Sequence, residues 1–185
     1  METNGETIKF SLDGSILEAQ PGETILQAAT RTGTEIPHLC YKEGYRPDGN
    51  CRACVVEIKG ERTLAPSCCR VPTAGMDVSS DNERARHSQR MVFELLKSDM
   101  PEAGKPAYSP ATEFAKWMGF LDVRESRFSS RTQPTRDLSN PAIAVNLDAC
   151  IQCNRCLRAC REEQVNDVIG YAYRGSESAI VFDLD

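Results

Sequence analysis

The stretch that decides the fold is "TIKFSLDGSILEAQPGETILQAATRTG", residues 7–33. Ile8, Phe10 and Leu12 alternate with polar residues, the two-residue period of a strand with one buried face. Asp13-Gly14 is a tight-turn dipeptide, and Ile16 to Ala19 supply the returning strand. Pro21-Gly22 opens the next segment. There Ile25, Leu26, Ala28 and Ala29 fall on one stripe at helical spacing, and Gly33 stops the helix. Working outward, "IPHLCYKEGYRPDGN" (36–50) is rich in turn residues. "CVVEIKGERTLAPS" (54–67) reads as a second hairpin turning near Lys59-Gly60-Glu61, and "MDVSS" (76–80) as a short last strand. Two hairpins packed on one helix predict an α+β fold, a β-grasp arrangement over residues 1–80.

Beyond it, "SDNERARHSQRMVFELLKSDMP" (80–101) predicts a helix capped by Ser80 or Asp81. Ala85, Val92, Leu95 and Leu96 form its apolar face, turned towards the preceding domain. Residues 81–141 read as this helix plus an irregular connection, with a short helix near 111–119. From Ala142 to Asp185 the pattern tightens again: "AIAVNLD", a cysteine run, a short helix through "LRACREEQV", then the strand-like "IGYAYRG" and "AIVFDLD".

Composition bounds the function. The chain has 185 residues, 40% apolar and 26% charged, with a net charge of −5. That balance gives no basic footprint for nucleic acid. No apolar run is long enough to span a membrane, and the N-terminus lacks the pattern of a signal peptide. The expected compartment is the cytoplasm. Nine cysteines in such a chain argue against disulfides: the number is odd, and cytosolic thiols stay reduced. They are also clustered. Five lie between 40 and 69, four between 150 and 160, and none between Arg70 and Ala149.

Cys40, Cys51, Cys54 and Cys68 follow C-x10-C-x2-C-x13-C, a variant with a longer first loop of the spacing that holds a [2Fe-2S] cluster. Gly44 and Gly49 let backbone N–H groups approach the sulfurs. Zinc is the plainer alternative, but zinc ribbons offer two close pairs and this set has one. Cys69 could compete with Cys68. If both stood on an extended strand they would face opposite sides, leaving Cys68 the ligand and Cys69 a buried small residue.

Cys150, Cys153, Cys156 and Cys160 follow C-x2-C-x2-C-x3-C, the most specific pattern in the chain. In two-cluster ferredoxins the first three hold one [4Fe-4S] cluster and the fourth holds another. Such a protein has a second, reciprocal run, and this sequence has none. Arg161 also stands where a proline normally follows. Three readings remain open: all four as ligands of one cluster, Cys69 or another group completing the set, or a further segment carrying the second run. The apolar ending "GSESAIVFDLD" points to the last, with the chain as the front of a longer protein.

Together these groups resemble the iron–sulfur region of NADH dehydrogenase large subunits, of diaphorase subunits of hydrogenases and of NAD-dependent formate dehydrogenases. "GTEIPHLCYKEGYRPDGNCRACVVEIKGER" and "VNLDACIQCNRCLRACREEQVNDVIGYAYRG" look most like the start of the molybdenum- or tungsten-containing formate dehydrogenase α subunit. The resemblance implies [2Fe-2S] on Cys40, Cys51, Cys54 and Cys68. It implies [4Fe-4S] on Cys150, Cys153 and Cys156, with Cys160 serving a second [4Fe-4S] completed by a downstream run. For the whole enzyme it implies a Mo or W pterin, FMN and NAD. The implied partners are the remainder of the catalytic subunit and a flavin/NAD-binding iron–sulfur subunit.

NADH dehydrogenase relatives carry an additional His/Cys3 [4Fe-4S] between the two groups. Here that region has His87 and no cysteine, so His87 is expected to be a solvated surface residue and His38 a structural one. No catalytic residue is expected in the chain. The expected role is electron relay between a pterin–metal centre and flavin. A freestanding two-cluster carrier, or a diaphorase or hydrogenase γ-type subunit, is the alternative. The arginines from Arg124 to Arg136 read as a solvated linker.

Overall fold

A computed structural model describes residues 7–102, 111–132, 138 and 146–182. Strands β1 (Ile8–Leu12) and β2 (Ser15–Ala19) pair antiparallel, with Phe10 opposite Leu17. Asp13 turns the hairpin at φ 49°, a value its short polar side chain tolerates. Its carboxylate accepts from the Ser80 N–H and hydroxyl, both at 2.6 Å, tying the turn to the domain's far end.

Helix α1 (Ile25–Arg31) starts at Thr24, whose hydroxyl accepts from the Gln27 N–H while the Gln27 side chain accepts from the Thr24 N–H. Strand β3 (Val55–Ile58) pairs with the two-residue β4 (Ala65–Pro66), and β5 (Asp77–Ser79) lies parallel to β1. The order β2-β1-β5-β3-β4 closes a five-stranded mixed sheet with α1 against one face, consistent with a β-grasp fold. Phe10, Leu12, Ile25, Leu26, Val56 and Val78 are all essentially fully buried. Each such side chain contributes about 1.5–3 kcal/mol by leaving water.

Helix α2 (Glu83–Asp99) differs from expectation in its cap and in its buried face. Asn82, not Ser80 or Asp81, accepts from the Ala85 N–H at 2.9 Å. The buried line is Ala85, Gln89, Phe93 and Ser98, while Leu95 is 48% exposed. Gln89 decides this rotation. Its amide donates to the Val55 carbonyl at 3.0 Å and the Ser80 carbonyl at 3.1 Å, satisfying backbone groups that apolar residues could not. Phe93 then meets Phe114, Trp117 and Met118 of α3 (Glu113–Phe120) in a second core that also takes in Leu39 and Ala53.

Arg124, Arg127 and Arg131 pair with Asp122, Glu94 and Asp99. Arg136 lies outside the described residues, as do residues 142–145 of the expected strand-like piece. The last part comprises α4 (Arg155–Arg158), a π-helical turn (Ala159–Glu163) and an antiparallel pair, β6 (Ile169–Ala172) with β7 (Ala179–Phe182). Among the described residues no helix is long and apolar enough to cross a membrane.

Candidate metal centres

The first cysteine set sits where the second core and the sheet meet. Leu39, buried in that second core, fixes the start of the loop that carries Cys40 and Cys51, and β3 fixes its end at Cys54. Between them the chain takes left-handed φ at Gly44, Gly49 and Arg52. Gly49 is needed sterically as well, because a Cβ there would stand 3.0 Å from the Cys69 sulfur. Cys68 approaches from the turn after β4.

The Cys40 N–H donates to the Cys51 sulfur at 3.4 Å, and the four thiols influence one another's ionisation, Cys40 through Cys51 and Cys68, and Cys54 through Cys68. Hydrogen bonds from Cys51 and Cys68 hold the Cys40 thiol far below its usual range. A hydrogen bond from Cys68 brings Cys54 down to about 7, against the opposing effect of burial. Cys51 and Cys68, the groups that donate, are pushed up. Backbone N–H groups converge too. Those of Asn50 and Cys51 meet the Cys40 sulfur, those of Cys40 and Ala53 meet Cys51, and that of Cys68 meets Cys54. The donor set suits thiolates carrying net negative charge.

Cys69 departs from expectation. Pro66 to Arg70 is a turn rather than a strand, closed by the Cys69 and Arg70 N–H groups on the Pro66 carbonyl. Cys69 is exposed, not buried, and its sulfur lies 3.5 Å from that of Cys68, not on the opposite face. It makes no contact with Cys40 or Cys54 of the kind Cys68 makes.

Cys150, Cys153 and Cys156 share a second neighbourhood. Gln152 and Asn154 adopt left-handed φ of 51° and 62°, which curls the loop before α4. Burial chiefly, and then the charges of Cys153 and Cys150, raise the Cys156 thiol. Tyr171 of β6 is near enough to the same three cysteines to sense their charge. Burial first, then their charges, push its hydroxyl up to about 12, and that hydroxyl donates to the Gln152 carbonyl at 3.2 Å. Cys160 is buried, and its thiol donates to the Asn166 carbonyl at 2.9 Å. Among the described residues no three His, Cys, Asp or Glu side chains converge as they would on a single metal ion.

The sequence reading missed what joins the two loops. Asn50 donates to the Gln152 carbonyl at 3.0 Å, and Asn154 to Asp48 at 3.2 Å. Arg155 reaches the Tyr41 carbonyl at 2.9 Å, and Arg158 reaches the carbonyls of Arg46 (2.7 Å) and Cys40. The signal was present: two arginines at i, i+3 on the helix that carries Cys156 share one face. His38 is structural, with Nδ1 against the Ile36 carbonyl and its ring against Trp117 and Tyr41. His87 is exposed beside Glu83 and Arg84.

Residues 5–83 match a family described as a 2Fe-2S iron-sulfur cluster binding domain. The chain is 33% identical over 180 residues to the G 2 subunit of the NADH-quinone oxidoreductase of Rhizobium meliloti, covering 94% of this chain and 21% of that protein. It is 33% identical over 181 residues to the HndD subunit of the NADP-reducing hydrogenase of Solidesulfovibrio fructosivorans, covering 94% of this chain and 31% of that one. The crystal structure of an NAD+-reducing [NiFe]-hydrogenase in the H2-reduced state superposes with a TM-score of 0.83 at 27% identity, over 95% of this chain and 74% of that one. The chain thus spans between about a fifth and a third of the length of these curated relatives. Its N-terminal part is a 2Fe-2S ferredoxin-type domain related to those of the NADH-quinone oxidoreductase and NADP-reducing hydrogenase subunits.

Proposed function

We propose that the chain is an electron-relay segment of a multi-subunit oxidoreductase, passing electrons between two iron–sulfur centres. Cys40, Cys51, Cys54 and Cys68 hold [2Fe-2S]. Cys150, Cys153 and Cys156 hold [4Fe-4S], and Cys160 serves a different centre. Residues 1–80, 81–141 and 142–185 are then the 2Fe-2S domain, a connecting segment and a 4Fe-4S-type segment. The observation that carries this reading is the match of residues 5–83, which contain all four of the first cysteines, to a 2Fe-2S iron-sulfur cluster binding domain. A bound cluster supplies one-electron acceptance and donation. The residues of this chain position the sulfurs, point five N–H groups at them and limit solvent access, which stabilises added negative charge.

Within that role we favour the front end of a formate dehydrogenase α subunit, whose other parts hold the Mo or W pterin and pass electrons towards FMN and NAD on a partner subunit. The resemblance around both cysteine runs supports this, as does the absence of cysteine from residues 70–149. EPR of the anaerobically reconstituted, reduced chain tests the ligands. The [2Fe-2S] signal is expected to vanish in Cys51→Ser and persist in Cys69→Ser, and the reverse pattern would overturn the assignment. Formate-dependent reduction of both clusters in the full-length gene product tests the enzyme class. Reduction by NADH or H2 with none by formate would exclude it.

A further inference from the structure

Arg158 is only 5% exposed, yet among the described residues no carboxylate pairs with it. The nearby acids are engaged elsewhere: Glu162 with Arg46 and Glu113 with Arg155. The guanidinium meets two carbonyls, Arg46 at 2.7 Å and Cys40, and lies 5.9 Å from the Tyr45 ring, while Nε has no partner. These groups orient a cation but bring no net charge. A guanidinium keeps its proton in proteins, so it cannot escape the cost of burial by becoming neutral. Two residues along the same helix stands Cys156, and the carbonyl it grips belongs to Cys40. The guanidinium thus ties the two cysteine segments together, from the helix of Cys156 to the backbone of Cys40.

We propose that Arg158 is the counter-charge of the paired centres, a positioning residue that locks the Cys40 backbone to the Cys156 helix and favours the reduced state of the first centre. The proposal rests on the [2Fe-2S] reading of Cys40, Cys51, Cys54 and Cys68. Reduction by dithionite adds one electron to that centre and no proton to Arg158, so net charge there becomes one unit more negative. A fixed cation close by stabilises the reduced form more than the oxidised one.

The test is an EPR-monitored redox titration of the reconstituted 185-residue chain, with iron and acid-labile sulfide measured alongside. Arg158→Gln should keep the [2Fe-2S] signal and move its midpoint potential downward. Arg158→Lys, which keeps the charge and loses the two-carbonyl fork, should shift it less. An unchanged potential in Arg158→Gln at full cluster content overturns the proposal. So does loss of the cluster from both variants, because geometry rather than charge would then be what the site requires. If Arg158→Gln alone loses the cluster and Arg158→Lys titrates close to the parent, the charge assignment stands. A parent chain with no [2Fe-2S] signal would instead sink the underlying ligand reading, leaving iron analysis to separate the two failures.

Discussion

The two cysteine sets are held by different physics. The first hangs between a β-sheet core and a helical core, and each of its anchoring residues is fixed by apolar burial. The second is carried by a four-residue helix, a π-helical turn and a two-stranded sheet, with Val165 86% and Tyr173 79% exposed. So small a unit buries too little apolar surface to stand alone. Beside the packing of Ile151 on the second core, polar contacts through Asn50, Asn154, Arg155 and Arg158 tie it to the first loop. The first centre should therefore survive loss of the second, and the reverse should fail.

The harshest way to break that asymmetry is to open the sheet core. Phe10→Ala removes a ring that is 1% exposed at the centre of β1 and should cost about 3–5 kcal/mol. Chemical denaturation would show this as a lower midpoint, and both cluster signals should fall together. Persistence of the [4Fe-4S] signal after the [2Fe-2S] signal has gone would show that the second loop is independently ordered.

A milder change separates the sets in the other direction. Arg155→Ala removes a partly buried hydrogen bond to the Tyr41 carbonyl and an exposed ion pair with Glu113. The expected cost is about 1–3 kcal/mol, confined to the second loop. Hydrogen exchange should rise at residues 150–163 and stay unchanged in β1 to β5, with the [2Fe-2S] signal retained. Faster exchange across the sheet would mean that the loops fold as one unit.

How much of this was readable follows the same division. The first hairpin, α1 and the later strand segments were legible because alternation and stripe are apolar signals, and this half is built from apolar burial. Errors came where polar groups decide. Gln89 turns α2 by bonding the Val55 and Ser80 carbonyls, so the face expected from Val92, Leu95 and Leu96 is only partly used. Pro66 begins a turn that exposes Cys69, which a strand reading of "APSCC" would bury. The i, i+3 spacing of Arg155 and Arg158 puts them on one face but does not show what Arg158 meets, because its carbonyl partners lie more than a hundred residues away. The spacing left the role of Cys160 open, and the structure adds the Asn166 carbonyl as the partner of its thiol.

Helix capping probes the hinge between the two regions at lower cost. Asn82→Ala removes the cap of α2 and the contact from Asn82 Nδ2 to Glu57. About 1 kcal/mol should be lost, seen as a lower denaturation midpoint with both EPR signals unchanged. A loss near zero would mean that Gln89 alone holds the helix start.

The smallest effect tests electrostatics in the half that scarcely depends on it. Glu23, whose side chain is 12% exposed, receives two hydrogen bonds from Arg31 at 2.9 Å. The Arg31 hydrogen bond, ahead of the opposing effect of burial, holds the Glu23 carboxyl below its usual 4.5. A carboxyl whose folded value is depressed stabilises the fold above its unfolded value, and the contribution fades as pH falls through the folded one. Glu23→Gln should therefore cost about 0.2–1 kcal/mol at pH 7, with the difference from the parent closing as pH drops below about 4. Urea midpoints at pH 7, 5 and 3 measure it. A gap of constant size would assign the loss to packing at the start of α1. A gap that closes confirms that even this apolar half ends α1 with a charge pair, because the Arg31 guanidinium also donates to the Glu18 carbonyl and so ties the helix end to β2.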